Sequence, residues 1–185
     1  EYDVSSWDAI PVPSSWNIYG IQKDGSQKYG TPIYVNQPVI FQHSVKVDDW
    51  RGGVMRTPPA NWTTYKDRNE VGSFRRDFEI PQNWDGREVF ISFDGVDSFF
   101  YLWINGQYVG FSKNSRNTAN FNITPYLQKG KNTVAAEVYR SSDGSFLEAQ
   151  DMFRLPGIFR TVALCHTRFG CDLYGRFSDC QCRNP

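Results

Sequence analysis

The 185-residue chain has no excess of charge, since twenty Lys and Arg residues balance twenty Asp and Glu residues. A neutral chain without a basic run argues against nucleic acid and anionic membranes as partners, because both are bound through clustered positive charge. The sequence also has no run of about 18 apolar residues, the length that spans a bilayer, and no leader-like basic and apolar start. This composition favours a neutral partner.

Patterns of common catalytic sites are missing as well. The two histidines, His43 and His166, are far apart in the sequence, and no G-x-S-x-G, G-x-G-x-x-G or H-E-x-x-H motif occurs. Acidic residues are plentiful, so a pair of hydrolytic carboxylates cannot be recognised from composition. Glu148 is the one glutamate that merits attention, and a solvated or hydrogen-bonded loop role is favoured for it. The sequence therefore gives no support to these other hydrolase and cofactor classes.

Short alternating segments separated by turn residues indicate an all-β protein. FRRDFEI at 74–80 and REVFISFDGV at 87–96 are typical of strands, and only FNITPYL at 121–127 suggests a helical turn. FFYLWI at 99–104 runs into Asn105-Gly106, the dipeptide of tight type I′ hairpins. These patterns favour a single β-sandwich over βαβ units, but they do not separate a jelly roll from an immunoglobulin-like sandwich.

The last 21 residues, 165–185, break this pattern and hold all four cysteines: Cys165, Cys171, Cys180 and Cys182. With His166 they suggest a metal site or two disulfides, but the paired C-x2-C spacing of structural zinc sites is absent. We interpret residues 1–164 as one domain and residues 165–185 as an out-of-frame or vector-derived tail.

Four segments agree in order and spacing with one known family: VPSSWN at 12–17, PIYVN at 32–36, FDGVDSFFYLWINGQYVGF at 93–111 and SDGSFLEAQDMFRLPGIFR at 142–160. Through them the chain resembles the amino-terminal sugar-binding domain of family 2 glycoside hydrolases, most closely that of bacterial β-galactosidases. The resemblance implies a jelly-roll β-sandwich of the galactose-binding type.

The resemblance also implies a larger parent. In this family the domain precedes an immunoglobulin-like domain and a catalytic (β/α)8 barrel, and a chain of this length holds neither beside it. Two barrel glutamates perform retaining hydrolysis, so this domain is expected to be inert alone and without a cofactor, while it helps to complete the substrate pocket. The expected parent is a soluble homo-oligomer from the bacterial cytoplasm or periplasm that takes a β-galactoside, with sodium near the sugar and magnesium elsewhere.

Two acidic positions correspond to substrate-binding positions of the family. Asp151, in EAQDMFR, matches an aspartate that reaches into the barrel, holds galactose and helps to coordinate sodium; its structural alternative is an ion pair with Arg154 or Arg160. Asp97, in GVDSFF, stands where β-galactosidases more commonly have asparagine. An ionised aspartate accepts a hydrogen bond but cannot donate one, which leaves the substrate open among galactosides, glucuronides and mannosides.

Two other functions stay open at this point. Jelly rolls also serve as autonomous carbohydrate-binding modules, which a set of exposed aromatic residues on one face would favour. A structural collar that packs on the barrel or forms a subunit interface would instead show an apolar patch near residue 151. For Trp103, within the strand at 99–104, a position in the core or between sheets is favoured over a sugar platform.

Overall fold

The computed structural model describes residues 3–30, 32–34, 69–148 and 153–167, and the strands in these ranges pair into antiparallel sheets. The larger sheet has the order β2 (Val71–Glu79), β8 (Lys131–Tyr139), β5 (Phe99–Ile104) and β6 (Gln107–Ser112). The second has the order β11 (Val162–Thr167), β3 (Glu88–Phe93) and β7 (Ala119–Asn122). Two short pairs join β1 (Ile33–Tyr34) to β9 (Phe153–Arg154), and β4 (Val96–Asp97) to β10 (Gly157–Ile158).

Helical structure in the described ranges is limited to single turns. These are α1 (Trp16–Tyr19), α2 (Gly144–Leu147) and two 3-10 turns at Gln82–Trp84 and Thr124–Tyr126. The second 3-10 turn lies inside the segment for which the sequence suggests a helical turn. Within the same ranges, no helix is long and apolar enough to cross a membrane.

The core lies between the two sheets. Alternation along β5 buries Phe100, Leu102 and Ile104, while β3 and β7 supply aromatic residues from the opposite sheet. The ring centroid of Phe100 lies 4.8 Å from that of Phe93 and 5.9 Å from that of Phe121. Aromatic rings at these separations pack favourably beyond their buried area. The packing confirms the predicted all-β sandwich.

The hairpin between β5 and β6 turns at Asn105 and Gly106, whose φ angles are 51° and 78°. Both angles are positive, as the predicted type I′ turn requires. Asn105 does more than turn the chain. Its Nδ2 donates to Tyr126 O (2.9 Å) and Asn132 Oδ1 (2.8 Å), and its Oδ1 accepts from Thr133 N (2.9 Å). The hairpin tip is thereby fixed to β8 and to the second 3-10 turn.

The opening segment is anchored to the sandwich through Glu70. This carboxylate accepts from Trp16 Nε1 (3.3 Å), Asn17 Nδ2 (3.1 Å) and Arg140 Nη1 (2.6 Å). Trp16, Asn17 and Arg140 are all buried. One acidic residue thus connects α1 to the end of β8, the strand that leads into the loop at 141–145.

β11 continues past Leu164, where the sequence analysis places the end of the domain. Cys165, His166 and Thr167 pair with Phe90, Val89 and Glu88 of β3, and the first two of them are buried. Cys165 is disulfide-bonded. Three residues assigned to the tail therefore belong to a strand of the sandwich. The rest of the tail, 168–185, lies outside the described residues, and its origin stays a prediction.

Candidate functional site

Asp97 ends β4 at one end of the sandwich, opposite Gly157 of β10. The peptide bond between Asp97 and Ser98 is cis, and the Asp97 side chain is 12% exposed. Gly157 has a φ of 134°, and a Cβ there would lie 2.7 Å from Ser14 O. Glycine at this position therefore lets the opening segment approach the strand that faces Asp97.

The surroundings of Asp97 control its charge. Burial raises the pKa of Asp97 to about 6, and the nearby charge of Glu148 adds to this rise. The positive charges of Arg116 and, to a smaller extent, Arg154 lower the pKa and so oppose the rise. Arg116 Nη2 lies 3.7 Å from Asp97 Oδ2. At neutral pH the carboxylate is mostly ionised and accepts hydrogen bonds, and it takes up a proton just below neutrality.

Glu148 forms a clamp with the neighbouring loop. Ser115 Oγ donates to Glu148 Oε2 over 2.6 Å, and Ser115 N donates to Glu148 Oε1 over 3.3 Å. Ser115 is 1% exposed. A carboxylate that accepts two hydrogen bonds from one buried residue orders the loop, which is the role favoured from the sequence.

A serine cluster supports the backbone next to Asp97. Ser98 Oγ lies 3.3 Å from both Ser142 Oγ and Ser145 Oγ, and Ser98 N donates to Tyr139 O over 3.0 Å. Arg154 Nη2 donates to Ser145 O over 3.2 Å. The loop that holds Ser142 and Ser145 thus packs against the Asp97 segment.

Asp151 itself lies outside the described residues. Its predicted roles in sugar and sodium binding, and its alternative pairing with Arg154 or Arg160, stay predictions. The described residues contain no group of three or more His, Cys, Asp and Glu side chains that would hold a metal ion.

Ser115 and Arg116 are the site residues that sequence reasoning missed. They lie in the connection between β6 and β7, and neither belongs to a recognisable local motif. Their contacts with Glu148 and Asp97 appear only once the chain is folded. The one signal in the sequence is their position shortly after the well-matched hairpin segment at 93–111.

A second feature lies on the outward face of the larger sheet. We define the outer aromatic cluster as Phe99, Tyr101, Trp103, Tyr108, Phe111 and Tyr139, whose neighbouring ring centroids are 4.6 to 6.4 Å apart. Tyr108 and Phe111 are 50% and 53% exposed. Trp103 is half-buried on this face and does not lie between the sheets, because the alternation of β5 turns Leu102 and Ile104 inward.

Comparison with known proteins decides the family. Residues 1–168 match the sugar binding domain of glycosyl hydrolases family 2. The chain belongs to this family. A β-galactosidase from Priestia megaterium is 42% identical over 167 residues, which cover 90% of this chain and 14% of that protein. A β-galactosidase from Yersinia pestis is 41% identical over 165 residues, covering 89% of this chain and 13% of that protein.

Two solved glycosidase structures share the fold. The chain superposes on a β-glucuronidase from Bacteroides uniformis with a TM-score of 0.58 at 22% identity, covering 90% of this chain and 15% of that one. It superposes on a β-glycosidase from Bacteroides vulgatus with a TM-score of 0.56 at 24% identity, covering 91% and 17%. The sugar-binding domain thus spans a small part of each relative.

Proposed function

We propose that this chain is a non-catalytic sugar-binding domain of a β-galactosidase-like enzyme, in which Asp97 and Asp151 complete the substrate pocket. Retaining hydrolysis then takes place on a barrel elsewhere in the parent chain. The observation that carries the proposal is the buried Asp97 carboxylate, which lies opposite Gly157 of β10 in one of the four segments that match the family. The identity of 41 to 42% with two β-galactosidases over nine-tenths of the chain supports a galactoside as the sugar.

The chemistry of Asp97 fits a sugar-binding role. An ionised carboxylate accepts hydrogen bonds from sugar hydroxyls more strongly than a neutral amide does. Backbone pairing holds Asp97 in place and Arg116 flanks its carboxylate, so we expect the conformation of Asp97 to change little when a sugar binds. A single such group supplies only part of a pocket. We expect a dissociation constant of about millimolar or weaker for methyl β-galactoside.

Ligand-observed NMR of the 185-residue chain with methyl β-galactoside tests this proposal. The unmodified chain should show saturation transfer to the sugar, and Asp97→Ala should lose it. The matched control Asp85→Ala, which removes an exposed carboxylate in the turn before β3, should keep it. Equal signals from Asp97→Ala and from the unmodified chain would contradict the assignment of Asp97.

The absence of catalysis is tested separately. Purified chain should not hydrolyse nitrophenyl β-galactoside above the blank, because the two glutamates of the family mechanism are expected on the barrel. Turnover that a substitution within this chain abolishes would overturn the proposal.

The outer aromatic cluster supports a second candidate, an autonomous carbohydrate-binding module. Exposed Tyr108 and Phe111 next to half-buried Trp103 are residue types on which sugar rings stack. This function predicts micromolar affinity for an oligosaccharide, lost in Trp103→Ala and Tyr108→Ala and kept in Asp97→Ala. The reverse pattern supports the leading proposal.

A further inference from the structure

The loop between β6 and β7 brings a cation to the rim of the Asp97 site. Ser115 is buried and fixed by Glu148, so the backbone of the following residue is fixed too. Arg116 extends from this point to Asp97, and its side chain is 45% exposed. Its guanidinium therefore stands at the boundary between the buried carboxylate and solvent.

The Arg116 side chain also rests on an aromatic ring. Its Cζ lies 5.0 Å from the ring centroid of Phe159, and the Cζ of Arg160 lies 5.3 Å from the same centroid. A guanidinium over a ring at this distance is attracted by the π electrons. Arg160 Nη1 in addition donates to Arg116 O over 2.9 Å. Both the side chain and the backbone of Arg116 are thus held by the segment that follows β10.

The fold leaves room for this arrangement at Gly95. A Cβ at this position would lie 2.7 Å from Phe159 Cζ and 3.0 Å from Arg160 Cδ. Glycine therefore lets Phe159 lie against the backbone just before β4. In the β4–β10 pair, Gly157 lies opposite Asp97 and Ile158 lies opposite Val96. Phe159 is the next residue after β10, so the strand pair that places Asp97 also places Phe159.

Other charges near Asp97 are engaged elsewhere. Arg140 Nη1 lies 2.6 Å from Glu70, and Arg154 donates to Ser145 O. Glu148, the neighbouring anion, is clamped to the Ser115 loop and disfavours ionisation of Asp97. Among the described charges, Arg116 does most to favour the ionised carboxylate.

We propose that Arg116 is a positioning residue of the sugar site, which, braced on Phe159, holds the Asp97 carboxylate ready to accept a sugar hydroxyl. This role rests on the proposed function of Asp97. Arg116 acts through Asp97, and a guanidinium suits the task because it stays charged and stacks on aromatic rings.

The first test is a carbon-13 NMR titration of the Asp97 carboxyl in the 185-residue chain. Arg116→Gln should move the midpoint to higher pH, and Arg116→Lys, which restores the charge, should return most of the shift. Phe159→Leu should move it in the same direction by less, because the charge remains but its brace is lost. Lys113→Gln is the matched control, since it removes a cation of the same loop that pairs with exposed Asp143. An unchanged midpoint in Arg116→Gln would overturn the proposal.

The second test measures binding of methyl β-galactoside at pH 7 by saturation transfer. Arg116→Gln should weaken binding about threefold or more, the scale of one net hydrogen bond, and Lys113→Gln should leave it unchanged. Sugar binding that is lost in Asp97→Ala but unaffected by Arg116→Gln overturns the role of Arg116 alone. Failure of the unmodified chain to bind overturns the proposed function and this role with it.

Discussion

Arg140 and Glu70 form an ion pair inside the domain, with Arg140 Nη1 2.6 Å from Glu70 Oε1 and the side chains 2% and 16% exposed. Burial lowers the pKa of the Arg140 guanidinium, and the Glu70 charge opposes that effect. The pair joins the residue before β2 to the residue after β8. It therefore closes the end of the sheet next to the Asp97 site.

Glu70→Gln should destabilise the domain by about 3 kcal/mol, because removing one member of a buried pair leaves the other charge poorly compensated. Urea unfolding at pH 7 measures this loss. Asp143→Asn, which breaks the exposed pair with Lys113, is the control and should leave stability unchanged. Equal losses of unfolding free energy for the two substitutions would show that the buried Glu70–Arg140 pair stabilises the domain no more than the exposed Lys113–Asp143 pair does.

Asp97→Asn should stabilise the domain at neutral pH. Burial raises the pKa of Asp97 from 3.8 to about 6, so between these values the native state binds a proton that the unfolded chain has released. Stability from this group is thus present at low pH and is lost as pH rises through about 4 to 6. The variant cannot ionise and should be more stable above pH 6 by about 3 kcal/mol.

Urea unfolding of the unmodified chain and of Asp97→Asn from pH 4 to 7.5 measures that difference. The advantage of the variant should grow between about pH 4 and pH 6 and then level off. A difference independent of pH would mean that Asp97 titrates normally in the folded domain.

Asn105→Ala should cost about 2 kcal/mol, because it removes three hydrogen bonds and a residue suited to a positive φ. Its partner Asn132 is fully buried and would lose one of its contacts. Thermal unfolding measures the loss, with Gln107→Ala at the exposed start of β6 as the control. Similar melting temperatures for both variants would show that neither the hydrogen bonds nor the turn preference of Asn105 stabilises the domain.

Truncation separates the last strand from the tail. Removal of residues 168–185 should change the melting temperature by no more than a few degrees, on the order of 1 kcal/mol. Removal of residues 165–185 should cost more, because it also deletes three residues of β11 that pair with β3. Both measurements are made under reducing conditions, so that a disulfide at Cys165 does not enter the comparison. Equal melting temperatures for the two truncated chains would show that residues 165–167 add no stability and that the folded domain ends at Leu164.

Local patterns predicted the strands and the hairpin, because alternation and the Asn-Gly turn are encoded within a few residues. β4 and β10 have two residues each, too few for a period to appear, and they are what places Asp97 opposite Gly157. For Trp103, alternation shows that two faces exist but not which one meets the opposite sheet. Tertiary packing turned the Trp103 face outward.

The site was predicted only in part. Asp97 could be predicted because the short segment GVDSFF matches the family, and the match assigns this residue to a substrate-binding position. Ser115 reaches Glu148 across 33 residues, and no local pattern links the two. The charge state of Asp97 likewise depends on burial and on Arg116, which only the folded chain brings together.

The most direct test of the central claim is a proton–nitrogen NMR titration of the assigned 185-residue chain with methyl β-galactoside. The account predicts weak binding, about millimolar or weaker, with shifts concentrated at Asp97, Ser98, Ser115 and Arg116. The outer aromatic cluster should be unaffected. Shifts centred on Trp103 and Tyr108, or micromolar affinity, would contradict this account and identify an autonomous carbohydrate-binding module.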